Sequence, residues 1–204
     1  MFDNYKLNML NKKAASLESR PAEVLKSLNI HKGDIIGDIG TGGGYFTFEF
    51  SRKVGKNGRV YAIDTNQKSL AFISDKSKKE MINNIKPVLA DQKGFLLPET
   101  ADIFFLRNVF HHLPEPVEYF KNIKQFLKKD GKIVIMDYKK ETYKHEVFVL
   151  QKFNEFLRES GFLGMFGHYT PEETVIDTMK RAGLDVSEKF GFLPKQSFIT
   201  FKME

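Results

Sequence analysis

The sequence predicts an α/β fold: a mostly parallel sheet with helices on both faces, closed by an antiparallel hairpin. Three observations predict it. Short runs rich in Val, Ile and Phe recur along the 204 residues, bounded by Gly, Asp, Asn or Pro. These runs are apolar almost throughout, as strands covered on both faces are. Stretches between them carry apolar residues at helical spacing, and such alternation places helical crossovers between parallel strands.

The elements follow in order. The first 30 residues read as helical, with Pro21 opening a helix that carries Val24, Leu25 and Leu28; they precede the first strand and could lie over its C-terminal edge. Strands are expected at Asp34–Gly40, Arg59–Thr65, Ile85–Asp91, Ala101–Asn108 and Gly131–Tyr138. A helix is expected over Phe46–Val54, and Asn66 is the natural cap for one beginning at Gln67. Val117, Phe120, Ile123, Phe126 and Leu127 share one helical face; Lys128 and Lys129 suit its last turn and Gly131 its stop. From Tyr143 to Ser160, Val147, Leu150, Phe153 and Leu157 share another. Thr170-Pro171-Glu172-Glu173 reads as a capping box with Thr170 as the cap and Pro171 at the first helical position. Leu184–Phe192 and Gln196–Met203 are joined by a turn near Leu193-Pro194-Lys195, too tight for anything but an antiparallel pair. The pattern is five β/α units followed by a hairpin.

Composition narrows the function. The length suits one domain over residues 31–204, preceded by a helical cap over 1–30; within it, residues 139–170 could form a lid insertion. The absence of cysteine removes disulfides, thiolate metal sites and cysteine nucleophiles, and no His/Asp/Glu cluster has metal-ligand spacing. No apolar run approaches the roughly 20 residues of a membrane span, and Asp3, Asn4 and Lys6 stand where a signal peptide is apolar. A cytoplasmic protein is expected. The net charge of +6 is spread along the chain, which reads as a Lys-rich solvated surface more than a nucleic-acid footprint.

The most informative stretch is Asp38-Ile39-Gly40-Thr41-Gly42-Gly43-Gly44-Tyr45, between a strand and a helix. Glycines there let the backbone turn sharply and bring main-chain N–H groups to a ligand. The dinucleotide pattern G-x-G-x-x-G/A fails, since Tyr45 stands at its sixth place. The pattern acid-x-G-x-G-x-G is met at every position by Asp38, Gly40, Gly42 and Gly44. An acid at the strand end repels a pyrophosphate and attracts a cation. Asp64 ends the next strand, where a carboxylate can accept from both hydroxyls of a ribose, with Thr65 beside it. Asp91-Gln92 ends the third, where an acceptor could receive an adenine amine. Acids at three strand ends make an electronegative crevice suited to a cationic adenosine derivative. For Asp91 the alternative is a turn residue, and for Asp64 a helix cap.

With these motifs the chain resembles the class I S-adenosylmethionine-dependent methyltransferases from about Pro21 onward, most strongly over Gly33–Asp64, Val88–Gln92 and Ala101–Asp137. Leu106-Arg107-Asn108-Val109-Phe110-His111-His112-Leu113 followed by Pro114-Glu115-Pro116 resembles the small-molecule members, the quinone-biosynthesis C-methyltransferases and their relatives. The resemblance implies a Rossmann-like seven-stranded sheet of order 3-2-1-4-5-7-6 with strand 7 antiparallel. It implies that Asp38 and Gly40 line the methionine end of S-adenosylmethionine, that Gly42 and Gly44 cradle it, and that Asp64 holds its ribose. Asp91 would reach the adenine amine with Gln92 beside it, and Asn108 would face the transferred methyl; Tyr45 either packs on the cofactor or only starts its helix. The product would be S-adenosylhomocysteine.

Transfer from a sulfonium needs alignment and dryness, and a base only where the nucleophile carries a proton. His111, His112, His168 and Tyr169 are the candidates, the first two serving otherwise to cap or pack the following turn. Arg107 either makes a structural ion pair or touches substrate. The apolar, glycine-hinged stretch Gly161–Gly167 is either a lid over an apolar acceptor or a loop buried on the sheet. Phe2, Tyr5, Leu7, Met9 and Leu10 could add a second lid element or a homodimer contact. The reading that follows is a methyltransferase for a small apolar or aromatic acceptor. The alternatives are an RNA or protein methyltransferase and a non-catalytic S-adenosylmethionine-binding regulator.

Overall fold

The structure is a computed structural model and describes residues 2–139 and 170–204. The chain begins with helix α1 (Phe2–Ala14), a 3-10 turn (Leu17–Ser19) and helix α2 (Pro21–Ser27), which Pro21 opens. Then follow β1 (Ile35–Ile39), α3 (Tyr45–Val54), β2 (Arg59–Asp64), α4 (Gln67–Lys79), β3 (Ile85–Leu89) and β4 (Ala101–Arg107). After β4 come a 3-10 turn (Phe110–His112), α5 (Pro116–Ile123) and β5 (Leu127–Tyr138). Helix α6 (Glu172–Arg181), β6 (Leu184–Lys189) and β7 (Gln196–Met203) complete the described residues. The expected helix over Tyr143–Ser160 and the stretch Gly161–Gly167 lie outside them.

The seven strands form one sheet in the order β3-β2-β1-β4-β5-β7-β6, as expected. The pairs among β1 to β5 are parallel, whereas β7 runs antiparallel to β5 and β6. Alternate residues along the strands feed two cores. Phe104, Leu106, Ile133 and Ile135 meet Phe120 of α5 and Met179 of α6 on one face. Ile36, Ile103, Phe105 and Val134 meet Leu25 of α2 and Phe46 and Phe50 of α3 on the other. The centre of β1 needs a glycine: a Cβ on Gly37 would stand 2.5 Å from the Phe104 ring of the neighbouring strand. Asn66 caps α4, its Oδ1 accepting from Lys68 N–H at 2.9 Å.

Three expectations are corrected. The helix before β5 ends at Ile123, and Lys124–Phe126 tighten into a 3-10 turn. Leu127 already pairs with Ala101, and Lys128 reaches Asp102 of β4 at 2.8 Å, so sheet pairing overrides the helical pattern. Thr170 is not the cap of α6. Pro171 is, with an extended ψ of 140°, and its carbonyl accepts from Thr174 and Val175, which starts the helix one residue late. The third β/α unit has no helix between β3 and β4: residues 90–100 cross over as irregular chain, burying Phe95 and Leu97 against the sheet. Smaller shifts bring β3 to an end at Leu89 and β6 at Lys189.

Candidate active site

The parallel strands β1, β2 and β4 all end on one edge of the sheet, and the chain reverses there with local strain. Gly40, Gly42 and Gly44 hold φ of +70°, +51° and +83°, a region that penalises any side chain. The glycine loop is also crowded. A Cβ on Gly40 would meet Val109 Cγ2 at 2.2 Å, and one on Gly43 would meet the Leu7 carbonyl of α1 at 2.3 Å. A Cβ on Gly44 would press on Ile73 of α4. Asn11 of α1 clasps the loop from outside: its Nδ2 donates to the Gly43 carbonyl at 2.8 Å, and its Oδ1 accepts from Tyr45 N–H at 3.0 Å. The Tyr45 ring then stands edge-on to Phe46 at the start of α3.

Asp38 is buried at the end of β1, where its Oδ2 accepts from the Thr47 hydroxyl at 2.5 Å; Thr47 and Thr41 share a further hydrogen bond. Burial raises its pKa to about 6, against the lowering effect of the two hydroxyls. A cation in the crevice would pull that carboxyl back toward the charged form. Asp64 ends β2 half-buried and braces the loop: Oδ2 accepts from Gly42 N–H at 2.9 Å and Oδ1 from Asn66 N–H at 2.9 Å. Each carboxylate oxygen keeps a second acceptor site. Thr65 beside it is exposed. Asp91 builds a turn, its Oδ1 accepting from Lys93 and Gly94 N–H at 2.7 and 3.0 Å; Oδ2 takes no part in that turn. Gln92 next to it is exposed.

At the end of β4, Asn108 holds φ +56°, a conformation that Asn tolerates better than most residues. Its backbone N–H donates to the Met136 carbonyl at 2.8 Å, and its Oδ1 accepts from Gln196 Nε2 of β7 at 2.6 Å. Asp137, buried at the end of β5, lies 2.8 Å from His111 Nδ1 and also accepts the His111 backbone N–H at 3.2 Å and that of Tyr138 at 2.8 Å. A carboxylate only accepts, so Nδ1 carries the proton and Nε2 is the basic nitrogen. The exposed His112 ring lies 4.1 Å from that of His111. His168 and Tyr169 lie outside the described residues.

The edge therefore brings together Asp38, Gly40, Gly42, Gly44, Tyr45 and Asp64 through the loop, and Asn108 with His111 through the end of β5. Asp137, Gln196 and Asn11 are absent from the sequence expectations. A charged residue closing the apolar run Ile133–Met136 was the visible signal for Asp137; nothing local marks the other two.

The model of one family, described as "Methyltransferase domain", matches residues 30–179. The chain belongs to this methyltransferase domain family. The solved structure of a SAM-dependent methyltransferase from Aquifex aeolicus superposes with a TM-score of 0.79 at 25% identity, covering 98% of both chains. A probable cobalt-precorrin-6B C(15)-methyltransferase (decarboxylating) of Saccharolobus solfataricus is 31% identical over 134 residues, which cover 64% of this chain and 66% of that protein. An (S)-coclaurine N-methyltransferase of Thalictrum flavum subsp. glaucum is 29% identical over 106 residues, covering 52% of this chain and 29% of that protein. The match thus spans under a third of the coclaurine enzyme and about two thirds of the precorrin enzyme. Among the described residues no helix is long and apolar enough to cross a membrane.

The residues fit S-adenosylmethionine. An acid with a raised pKa awaits a positive charge at the end of β1, and Asp64 retains acceptor sites for hydroxyls. The loop's own N–H groups at Gly40, Thr41, Gly42, Gly44 and Tyr45 are taken by Ile63, Asp64, Thr41 and Asn11, contrary to the expectation that they would face a ligand, so the fit rests on the two acids that flank the turn.

Proposed function

We propose that this methyltransferase-family chain transfers a methyl group from S-adenosylmethionine to a small apolar or aromatic acceptor whose nucleophilic atom carries a proton. One observation carries the reading: a glycine turn held between a buried Asp38 and an Asp64 that grips Gly42 N–H. Asp38 and Gly40 take the methionine end, Gly42 and Gly44 the cofactor edge, and Asp64 with Thr65 the ribose; Asp91 and Gln92 take the adenine side. When bound, S-adenosylmethionine supplies a methyl group already activated by its sulfonium. The chain's own residues must align the acceptor, exclude water and move one proton.

His111 is the base in this reading. Asp137 keeps the proton on Nδ1 and stabilises the imidazolium that forms when Nε2 takes the acceptor's proton. Asn108, held by Gln196, faces the transferred methyl. Two relatives favour a small acceptor, their names containing coclaurine and cobalt-precorrin-6B, whereas a third is named for a tRNA.

Calorimetry with S-adenosylhomocysteine tests the cofactor reading, with micromolar binding expected, about −8 kcal/mol. Asp64→Ala should weaken it at least tenfold while circular dichroism is unchanged. No heat from the wild-type chain, or unaltered affinity in the variant, removes the site. His111→Asn tests the base: release of S-adenosylhomocysteine with a panel of phenols and amines should fall about 100-fold or more. A variant with wild-type turnover removes His111 from the role.

A further inference from the structure

Arg107 ends β4, on the face that carries Ile103 and Phe105, and its side chain runs under the connection between α1 and α2. One terminal nitrogen donates to Ser19 Oγ at 2.9 Å. That oxygen is buried and fixed in turn, donating to the Lys13 carbonyl at 2.7 Å. The guanidinium carbon lies 5.8 Å from the centre of the Phe46 ring, in the first turn of α3 after the glycine loop. Nε is buried and has no hydrogen-bond partner among the described residues.

Arg107 is therefore a largely desolvated cation with five donors, held by one neutral hydroxyl and a ring face. Desolvation pushes its pKa down, the direction expected of a charge lacking a close counter-ion. The acids around it are engaged elsewhere. Asp38 accepts from Thr47, and Asp137 accepts from His111 and Tyr138. Asp38, Asp137 and the Tyr138 hydroxyl act on Arg107 through space only; none makes an ion pair with it. A structural ion pair, one of the two roles open to Arg107 from sequence, is thus not what the fold gives it among the described residues. Lys128 and Arg59, by contrast, each close on a carboxylate. Burying a charge without an opposite one is costly, and strongly perturbed groups cluster at functional sites, where a ligand can bring the counter-charge.

We propose that Arg107 is a carboxylate receptor at the floor of the crevice, oriented by Ser19 and Phe46 to take a planar anion from a bound small molecule. The inference rests on the methyl-donor reading above and deepens it. Two molecules at that site can bring the group: the donor, through its amino-acid end, or an acceptor that is itself a carboxylic acid. Guanidinium and carboxylate match as a two-point pair, which Lys cannot reproduce. Ser19 is a positioning residue, since it acts only through Arg107.

The test compares S-adenosylhomocysteine with 5′-methylthioadenosine, which keeps the nucleoside and the thioether and lacks the amino acid. Each is titrated by calorimetry into the wild-type chain, Arg107→Gln, Arg107→Lys and Ser19→Ala. If the donor brings the carboxylate, Arg107→Gln weakens S-adenosylhomocysteine about 10- to 100-fold and leaves methylthioadenosine within twofold. Arg107→Lys and Ser19→Ala lose less, in the same selective sense. If the acceptor brings it, both nucleosides bind all variants equally, and benzoate binds the S-adenosylhomocysteine-saturated wild type but not Arg107→Gln. Equal behaviour of both nucleosides together with no difference in benzoate binding overturns the proposal. So does an equal loss of both nucleosides in Ser19→Ala, which keeps the cation. A wild-type chain that binds neither nucleoside fails the methyl-donor reading instead.

Discussion

Asp38 is an acid that folding drives toward neutrality. Its carboxyl ionises near 3.8 in an unfolded chain and near 6 in the fold, because burial outweighs the two threonine hydroxyls. Below the first value both states are protonated. Between the two the unfolded chain has lost a proton that the folded chain keeps, so stability falls as pH rises and levels off above the second. Asp38→Asn, which still accepts from Thr47, removes that loss. Its stability relative to wild type should rise by about 2–3 kcal/mol between pH 4 and pH 7.5 in urea titrations; a difference constant with pH would refute the assignment. Asn108 is strained in a different way, by a positive φ locked between Met136 and Gln196. Asn108→Val should cost about 1–3 kcal/mol more than Asn108→Gly in the same measurement, because a branched Cβ resists that conformation and glycine does not.

Helix α1 and the glycine loop behave as one element because Asn11 satisfies a donor and an acceptor of the loop at once. Asn11→Ala should leave both main-chain groups unpaired and cost about 1–3 kcal/mol. Hydrogen exchange should then speed up across residues 4–14 and 40–45 while α5 and α6 keep their protection. Uniform loss of protection would mean that the helix is integral to the core. This coupling was illegible in the sequence for a physical reason. Helical residues, glycines and acids advertise themselves by local pattern, so Asp38 to Gly44, the Asn66 cap and Pro21 could be read directly. Asn11 meets Tyr45, Ser19 meets Arg107, and Asn108 meets Gln196 across gaps that no periodicity spans. The same limit explains the errors in extent. Lys128 and Lys129 fit a helix end by pattern, yet pairing of Leu127 with Ala101 had the stronger claim.

At the scale of the molecule, the sheet order followed from resemblance, and the hairpin from the short link after Phe192; both agree with the strands as they pair. A ligand gripped by the folded sheet edge alone must raise the stability of the whole. S-adenosylhomocysteine at 100 times its dissociation constant should add about 2.7 kcal/mol and lift the melting temperature by roughly 5–10 °C, whereas NAD should lift it by none. Equal shifts from both would deny the crevice its selectivity. Deep beneath that crevice, Gly37 and Phe104 divide a single volume between adjoining strands. Neither can change size alone without a clash or a hollow at the middle of the sheet. A methyl at 37 demands a slimmer neighbour at 104, so these positions should drift through evolution as a compensating couple, and a paired exchange should be tolerated where each half alone is not.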